Sequence, residues 1–100
     1  MKKIEFRIDK DILYIAVEGR IDASNAPEFE SFLKDNIVDV SALVINCEKL
    51  AYISSAGLRV LKKTYMAMAK KNGTMELSHV NKMVMEVLEM TGFSGLFRIV

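Results

Sequence analysis

One hundred residues, 51% of them hydrophobic and 27% charged, suffice for one compact domain and leave no room for a separate cofactor domain. Lys and Arg number 14 against 13 Asp and Glu, a formal net charge of +1, so no chain-wide field holds nucleic acid or an anionic membrane, and partners must be met by a local patch. Cys47 and His79 stand alone in their residue types, which forbids an internal disulfide and gives no common zinc ligand set. No cofactor or metal is expected, and a reducing cytoplasm is the expected setting.

Glu5, Arg7 and Asp9 interrupt the apolar stretch that a secretory leader needs after Met1, Lys2 and Lys3. Apolar runs of a few residues fall far short of the ~18 to 20 that span a bilayer. Ile4, Phe6 and Ile8 alternate with those charges at the period of a half-buried strand. Lys10 and Asp11 mark a turn, and the almost continuously apolar Ile12 to Val17 reads as a second strand covered on both faces. The two make a β-hairpin, after which Gly19 lets the chain leave the sheet.

Asn25, Pro27 and Glu28 resemble a capped helix start, with Phe29, Phe32, Leu33 and Asn36 or Ile37 following at helical spacing. Leu43, Val44 and Ile45 suit a central strand. From Ser55 to Asn72 the stripe Leu58, Leu61, Tyr65 and Met68 marks the longest helix, with Gly73 placed for a left-handed cap. Met75 and Leu77 sit in another strand. Met83, Val84, Val87, Leu88 and Thr91 line one face of a last helix stopped by Gly92, and Phe97 to Val100 can close as a short strand. Helices between strands favour right-handed parallel crossovers. The expectation is a single α/β domain over residues 1–100, with a mixed sheet of four to five strands, an N-terminal hairpin, three main helices and the first strand at an edge.

The most informative stretch is Tyr52-Ile53-Ser54-Ser55-Ala56-Gly57-Leu58-Arg59-Val60-Leu61, a turn from a strand into the long helix. Ser55 at the helix N-terminus reads as a cap satisfying a free N–H, and equally as a hydroxyl at the positive end of a helix dipole, where a phosphate is accommodated. Arg59, Lys62, Lys63, Met66 and Lys70 project away from Leu61 and Met68. They form either a solvated basic face or an adaptable contact for an acidic partner; Met85 is also outward by spacing. Ser55, His79 and Asp22 are the only candidates for nucleophile, base and orienter, and nothing in the sequence places His79 near Ser55. No phosphate-cradling glycine loop is present.

Three segments carry a resemblance. Gly19-Arg20-Ile21-Asp22 with Asn25-Ala26-Pro27-Glu28-Phe29, then Tyr52 to Leu61, then Val87-Leu88-Glu89-Met90-Thr91-Gly92-Phe93 with Leu96-Phe97 resemble the signatures of the STAS domain of anti-sigma factor antagonists. The resemblance implies a small cytoplasmic bacterial switch, monomeric when free. Such a protein binds an anti-sigma factor that is an ATP-using serine kinase, and so frees a sigma factor. Phosphorylation ends the binding and a serine phosphatase restores it. The family's phosphoacceptor falls on Ser55 and its first-loop acid on Asp22. Many members carry Asp before the acceptor, where this chain has Ser54, a second possible acceptor. The implied partner surface runs from Asp22, Ser24 and Asn25 through Ser54, Gly57 and Leu58 to Arg59, Lys62, Lys63 and Met66. The same fold also serves as a subunit of membrane transport or secretion-control complexes, which is the second reading, and a serine hydrolase is a distant third.

Overall fold

In the computed structural model, which describes residues 3–100, the chain runs β1 (Lys3–Asp9), β2 (Ile12–Ile21), α1 (Ala26–Asn36), β3 (Ala42–Asn46), β4 (Leu50–Ile53), α2 (Ser55–Lys70), β5 (Thr74–Ser78), α3 (Lys82–Met90) and β6 (Arg98–Ile99), with a short 3-10 turn at Phe93–Gly95. The sheet order is β1-β2-β3-β5-β6. β1 is antiparallel to β2, the other neighbours are parallel, and β4 pairs in parallel with the far end of β2. This is the expected mixed α/β architecture with three helices and β1 at an edge. The additional strand is β4, four residues that the sequence does not distinguish from the turn before α2.

β4 exists because β2 is longer than its apolar run. The chain does not leave the sheet at Gly19, as the sequence suggested, but continues to Ile21. Gly19 adopts φ 97, and the β2–β4 register shifts between Gly19 and Arg20. The extra residue of this irregularity is Ala51 of β4, opposite the Gly19–Arg20 step, and the positive φ of Gly19 is one that only glycine adopts without cost. Its N–H donates to the Lys49 carbonyl at 2.9 Å, so one residue hands β2 from β3 to β4.

The sheet is covered on one face only. Leu13, Ile15 and Val17 are buried, and their register partners Leu43 and Ile45, with Met75 and Leu77 beyond, continue the same buried rows. Phe29 and Leu33 of α1, Leu58, Leu61 and Met68 of α2, and Val84 and Leu88 of α3 join this core. Ile12, Tyr14 and Ala16 on the other face stay half-buried, so β2 is not the strand with two covered faces that its composition suggested. β1 departs further from its pattern: Phe6 and Ile8 face the helical side yet remain 55% and 54% exposed. Their strand lies at the edge of the helical layer, where Phe6 meets the Phe32 ring of α1 edge-on, at 5.1 Å between centroids.

Smaller corrections have equally local causes. After α2 the left-handed residue is Asn72 at φ 62, while Gly73 is held by space, a Cβ there falling 2.8 Å from the Ser41 carbonyl oxygen. Met83 is exposed because it sits off the axis on which α3 turns Val84 and Leu88 inward, and Thr91 is exposed because, although in line with them, it is the C-cap beyond the last helical residue. Gly92 does take the left-handed conformation after α3, at φ 80. Cys47 behaves as a core residue, its thiol pushed up to about 12 by burial.

Gly19→Ala forces a Cβ into a left-handed position and should lower stability by about 1–2 kcal/mol. Urea unfolding would show this as a lower midpoint with an unchanged slope.

Candidate functional site

Ile21 and Ile53 are register partners at the ends of β2 and β4, and the chain leaves the sheet after each at the same place. Asp22 opens the loop to α1 and Ser54 opens α2. The Ser54 N–H donates to the Ile21 carbonyl at 2.8 Å, which fixes the two exits to each other.

The helix cap is Ser54, not Ser55. Ser54 has extended backbone (φ −88, ψ 174), its Oγ accepts from the Gly57 N–H at 3.3 Å, and its carbonyl accepts from the Leu58 N–H at 2.9 Å. Ser55 is the first helical residue and is exposed, and its hydroxyl has no hydrogen bond to another described residue. Helical spacing explains the division: with Gly57, Leu58 and Leu61 turned into the core, Ser55 points out. Gly57 and Leu58 therefore offer no side chain to a partner. A Cβ on Gly57 would lie 2.7 Å from both Ile21 Cγ2 and Ile53 Cγ1, so this glycine is required for α2 to lie against β2 and β4, rather than for a strand-to-helix turn.

The β2–α1 loop is organised around one carboxylate. Asp22 Oδ1 accepts from the Ser24 hydroxyl at 2.6 Å and from the Ser24 N–H at 3.0 Å, and these bonds hold its pKa below the usual carboxylate value. Asn25 occupies the N-cap position of α1 without capping it. Its side chain turns back, Oδ1 accepting from the Asp22 N–H at 2.9 Å and Nδ2 donating to the Arg20 carbonyl at 2.9 Å. Pro27 in the first turn helps start the helix in its place.

A shallow groove of about 200 Å³ separates this loop from α2, lined by Ala23, Pro27 and Glu30 on one side and Ala56, Arg59 and Lys63 on the other. Lys63 Nζ bridges it to Glu30 Oε2 at 3.5 Å. Glu30 was not singled out from the sequence, where only its spacing to Lys34 was visible. Arg59, Lys62, Lys63, Met66 and Lys70 are all exposed, and Ser55–Lys70 contains no acidic residue. One end of the sheet thus gathers a free hydroxyl, a cationic helix face and an ordered carboxylate. His79, exposed at φ 54, instead lines a hollow of about 460 Å³ on the open face with Tyr14, Val44 and Asn46. It makes no hydrogen bond to Ser55, and the Asp22 carboxylate is engaged with Ser24.

The family model for the STAS domain matches residues 3–100. A Bordetella bronchiseptica protein bearing the name anti-sigma factor antagonist BtrV is 31% identical over 98 residues, 97% of this chain and 84% of that protein. Among solved structures, an anti-sigma factor antagonist from Mycobacterium paratuberculosis superposes with a TM-score of 0.86 at 23% identity, over 97% of this chain and 83% of its own. The phosphorylated form of the Bacillus cell fate determinant SpoIIAA superposes with a TM-score of 0.77 at 14% identity, over 98% and 91%. Two transporter-family structures share the fold at 14% and 17% identity. At such identities the solved structures establish the fold.

Two measurements check this geometry. Ser54→Ala should lose about 0.5–2 kcal/mol of stability through the cap, while Ser55→Ala should stay within about 0.5 kcal/mol of the parent, both read by urea unfolding. Because Asp22 has a folded pKa below the usual carboxylate value, its contribution to stability is complete above that unfolded value and is lost as pH falls through the folded pKa. Carbon-detected NMR titration should find that depressed value, and Ser24→Ala should raise it.

Proposed function

We propose that this chain, which belongs to the STAS domain family, is an anti-sigma factor antagonist: a non-enzymatic binding module of the cytoplasm, switched by phosphorylation of Ser55. Its partner is an anti-sigma factor with serine kinase activity, and sequestering that partner releases a sigma factor for transcription. A serine phosphatase resets the switch. The observation that carries this reading is the uncommitted, exposed Ser55 hydroxyl at the start of an acid-free helix, beside a serine already used as the cap. That contrast favours Ser55 over Ser54 as acceptor. The relative of 31% identity, matched along nearly the whole chain, supports the antagonist reading over the transport-complex one, for which only the fold speaks.

The contact surface consists of Asp22, Ser24 and Asn25 from the loop, and Arg59, Lys62, Lys63 and Met66 along α2. Ser54, Gly57 and Leu58 support it from beneath. Lys62 and Lys63 suit an acidic partner surface, and exposed Met66, at 59%, offers an apolar contact that adjusts its shape. The kinase transfers the γ-phosphoryl group of ATP to Ser55 Oγ, the hydroxyl proton goes to solvent or a kinase base, and ADP leaves. The new group carries about 1.5 to 2 negative charges. At the helix N-terminus that charge is favourable by ~0.3–1 kcal/mol, so the fold persists. Buried against a partner without a matching cation it costs several kcal/mol, and the Asp22 carboxylate in the neighbouring loop adds repulsion. The interface term is the larger, so binding is lost and structure is not.

Ser55→Asp should weaken binding to the kinase captured on the immobilised protein by about a hundredfold or more, with a thermal midpoint close to the parent. Ser55→Ala should bind and no longer be released by ATP. Titration calorimetry and thermal melts on the same samples decide this. Phosphate located by peptide mass spectrometry on Ser54 alone, or undiminished binding by authentic phosphoprotein, would refute the mechanism.

A further inference from the structure

Edge strands expose a row of unpaired N–H and C=O groups, and proteins ordinarily blunt them with repelling charges, prolines or coverage. β1 is seven residues long, contains no proline, and has an uncovered outer edge. On the helical side it leaves Phe6 and Ile8 more than half exposed. On the open side its charges alternate in sign, Lys3, Glu5, Arg7 and Asp9. In this protomer their ion pairs among the described residues run along the strand, Lys3 with Glu5 at 3.6 Å and Arg7 with Asp9 at 3.7 Å, with every member more than 60% exposed, and the Arg7 guanidinium also lies over the Tyr14 ring of β2 at 4.1 Å.

We propose that β1 pairs antiparallel with β1 of a second copy about a two-fold axis through Phe6, joining two sheets into one. Antiparallel strands related by such an axis place residue i opposite residue 12 − i. Phe6 then meets its own copy and Ile4 meets Ile8 of the other chain, all on the helical side. On the open side Lys3 meets Asp9, and Glu5 meets Arg7. Every directly opposed pair is thus either apolar with apolar or cation with anion, the combinations that stabilise a sheet. A shift of two residues in either direction destroys the match: one sets Lys3 against Arg7 and Glu5 against itself, the other sets Glu5 against Asp9 and Arg7 against itself. A shift of four restores the charge match but pairs only three residues of each strand instead of seven, so charge and overlap together favour the register centred on Phe6, where a protective edge would repel every register. The axis forms an isologous, closed contact, so association stops at two chains. Phe32, already edge-on to Phe6, extends the apolar strip that pairing would cover. With one short strand and a small apolar patch at the contact, the dimer should be weak and concentration-dependent, so the monomer that the family resemblance implies is the species of dilute solution.

Sedimentation equilibrium over rising concentration should show growth from the 11.3 kDa protomer to twice that mass and no further. Arg7→Glu replaces two attractive contacts with two repulsive ones and should weaken association about tenfold or more. Glu5→Arg combined with Arg7→Glu restores opposite charges across the axis and should recover most of it, with thermal melts showing that each variant is folded. Phe6→Cys should cross-link two chains under mild oxidation, because directly opposed residues have Cα atoms ~4.5–5.5 Å apart. Ile8→Cys should not, because its own copy lies four residues away along the strand, about 14 Å; Cys47 is buried and serves as the internal control. A single protomer-sized species up to about 1 mM, failure of the charge swap to recover association, or cross-linking as efficient at Ile8 as at Phe6 would overturn the proposal.

Discussion

The site depends on one close approach, that of Gly57 to Ile21 and Ile53. Both isoleucines are 1% exposed, and burying each side chain contributes about 1.5–3 kcal/mol, so the pair anchors the two strand ends firmly. With no side chain on Gly57, α2 rests directly on them. The same pair fixes the loop opposite, because Asp22 follows Ile21 and Ser54 follows Ile53, with a hydrogen bond tying Ser54 to the Ile21 carbonyl. Hydroxyl and carboxylate are thus positioned by a single piece of strand pairing. That pairing begins at Gly19, beside the extra residue Ala51 of β4, after β2 has stopped pairing with β3 at Ala16 and Asn46.

A second constraint is the accounting of polar groups at the start of α2. The first turn of a helix has N–H groups without internal partners. Ser54 uses its hydroxyl on one of them, the Gly57 N–H, which leaves the neighbouring hydroxyl of Ser55 without structural work. A residue that stabilises nothing can be modified without cost to the fold, and here the helix end and the cations beyond it favour an added anion. An aspartate in place of Ser54 would also serve as a cap, while placing a negative charge beside the Ser55 hydroxyl. With Ser54 the cap is neutral, so the charge around the Ser55 hydroxyl comes from its neighbours, Asp22 in the loop and the α2 cations among them.

Much of this was legible in the sequence. Helical spacing located α2 and its exposed face, because Leu58, Leu61 and Met68 must share a side, and alternation placed β1 and its charges correctly. What was not legible depends on tertiary neighbours. Two adjacent serines look equivalent as caps until the backbone decides which is extended. Gly57 looks like a turn glycine until Ile21 and Ile53 are found beneath it. The burial of β2 on one face only, and the exposure of Phe6 and Ile8, follow from how far the helical layer reaches across the sheet, which no local pattern encodes. Glu30 joined the groove through Lys63, a residue far along the chain.

The one-sided layering also separates the two surfaces of the molecule. Helices on a single face leave β1 uncovered at one edge, whereas the hydroxyl and its cationic helix lie where β2 and β4 end. No β1 residue lines the groove between α1 and α2, and α1 divides its own contacts, with Phe32 toward β1 and Pro27 and Glu30 toward α2. Pairing through β1 therefore occupies none of the residues assigned to the partner contact. Two switches carried on one continuous sheet would engage a partner that is itself dimeric at two points, and the second contact would form at the high effective concentration set by a rigid connection. If Ser55 is the switch, phosphorylating one copy of such a dimer would remove one contact and forfeit that advantage for the other, so release would respond to phosphate more steeply than the single-site cost alone provides.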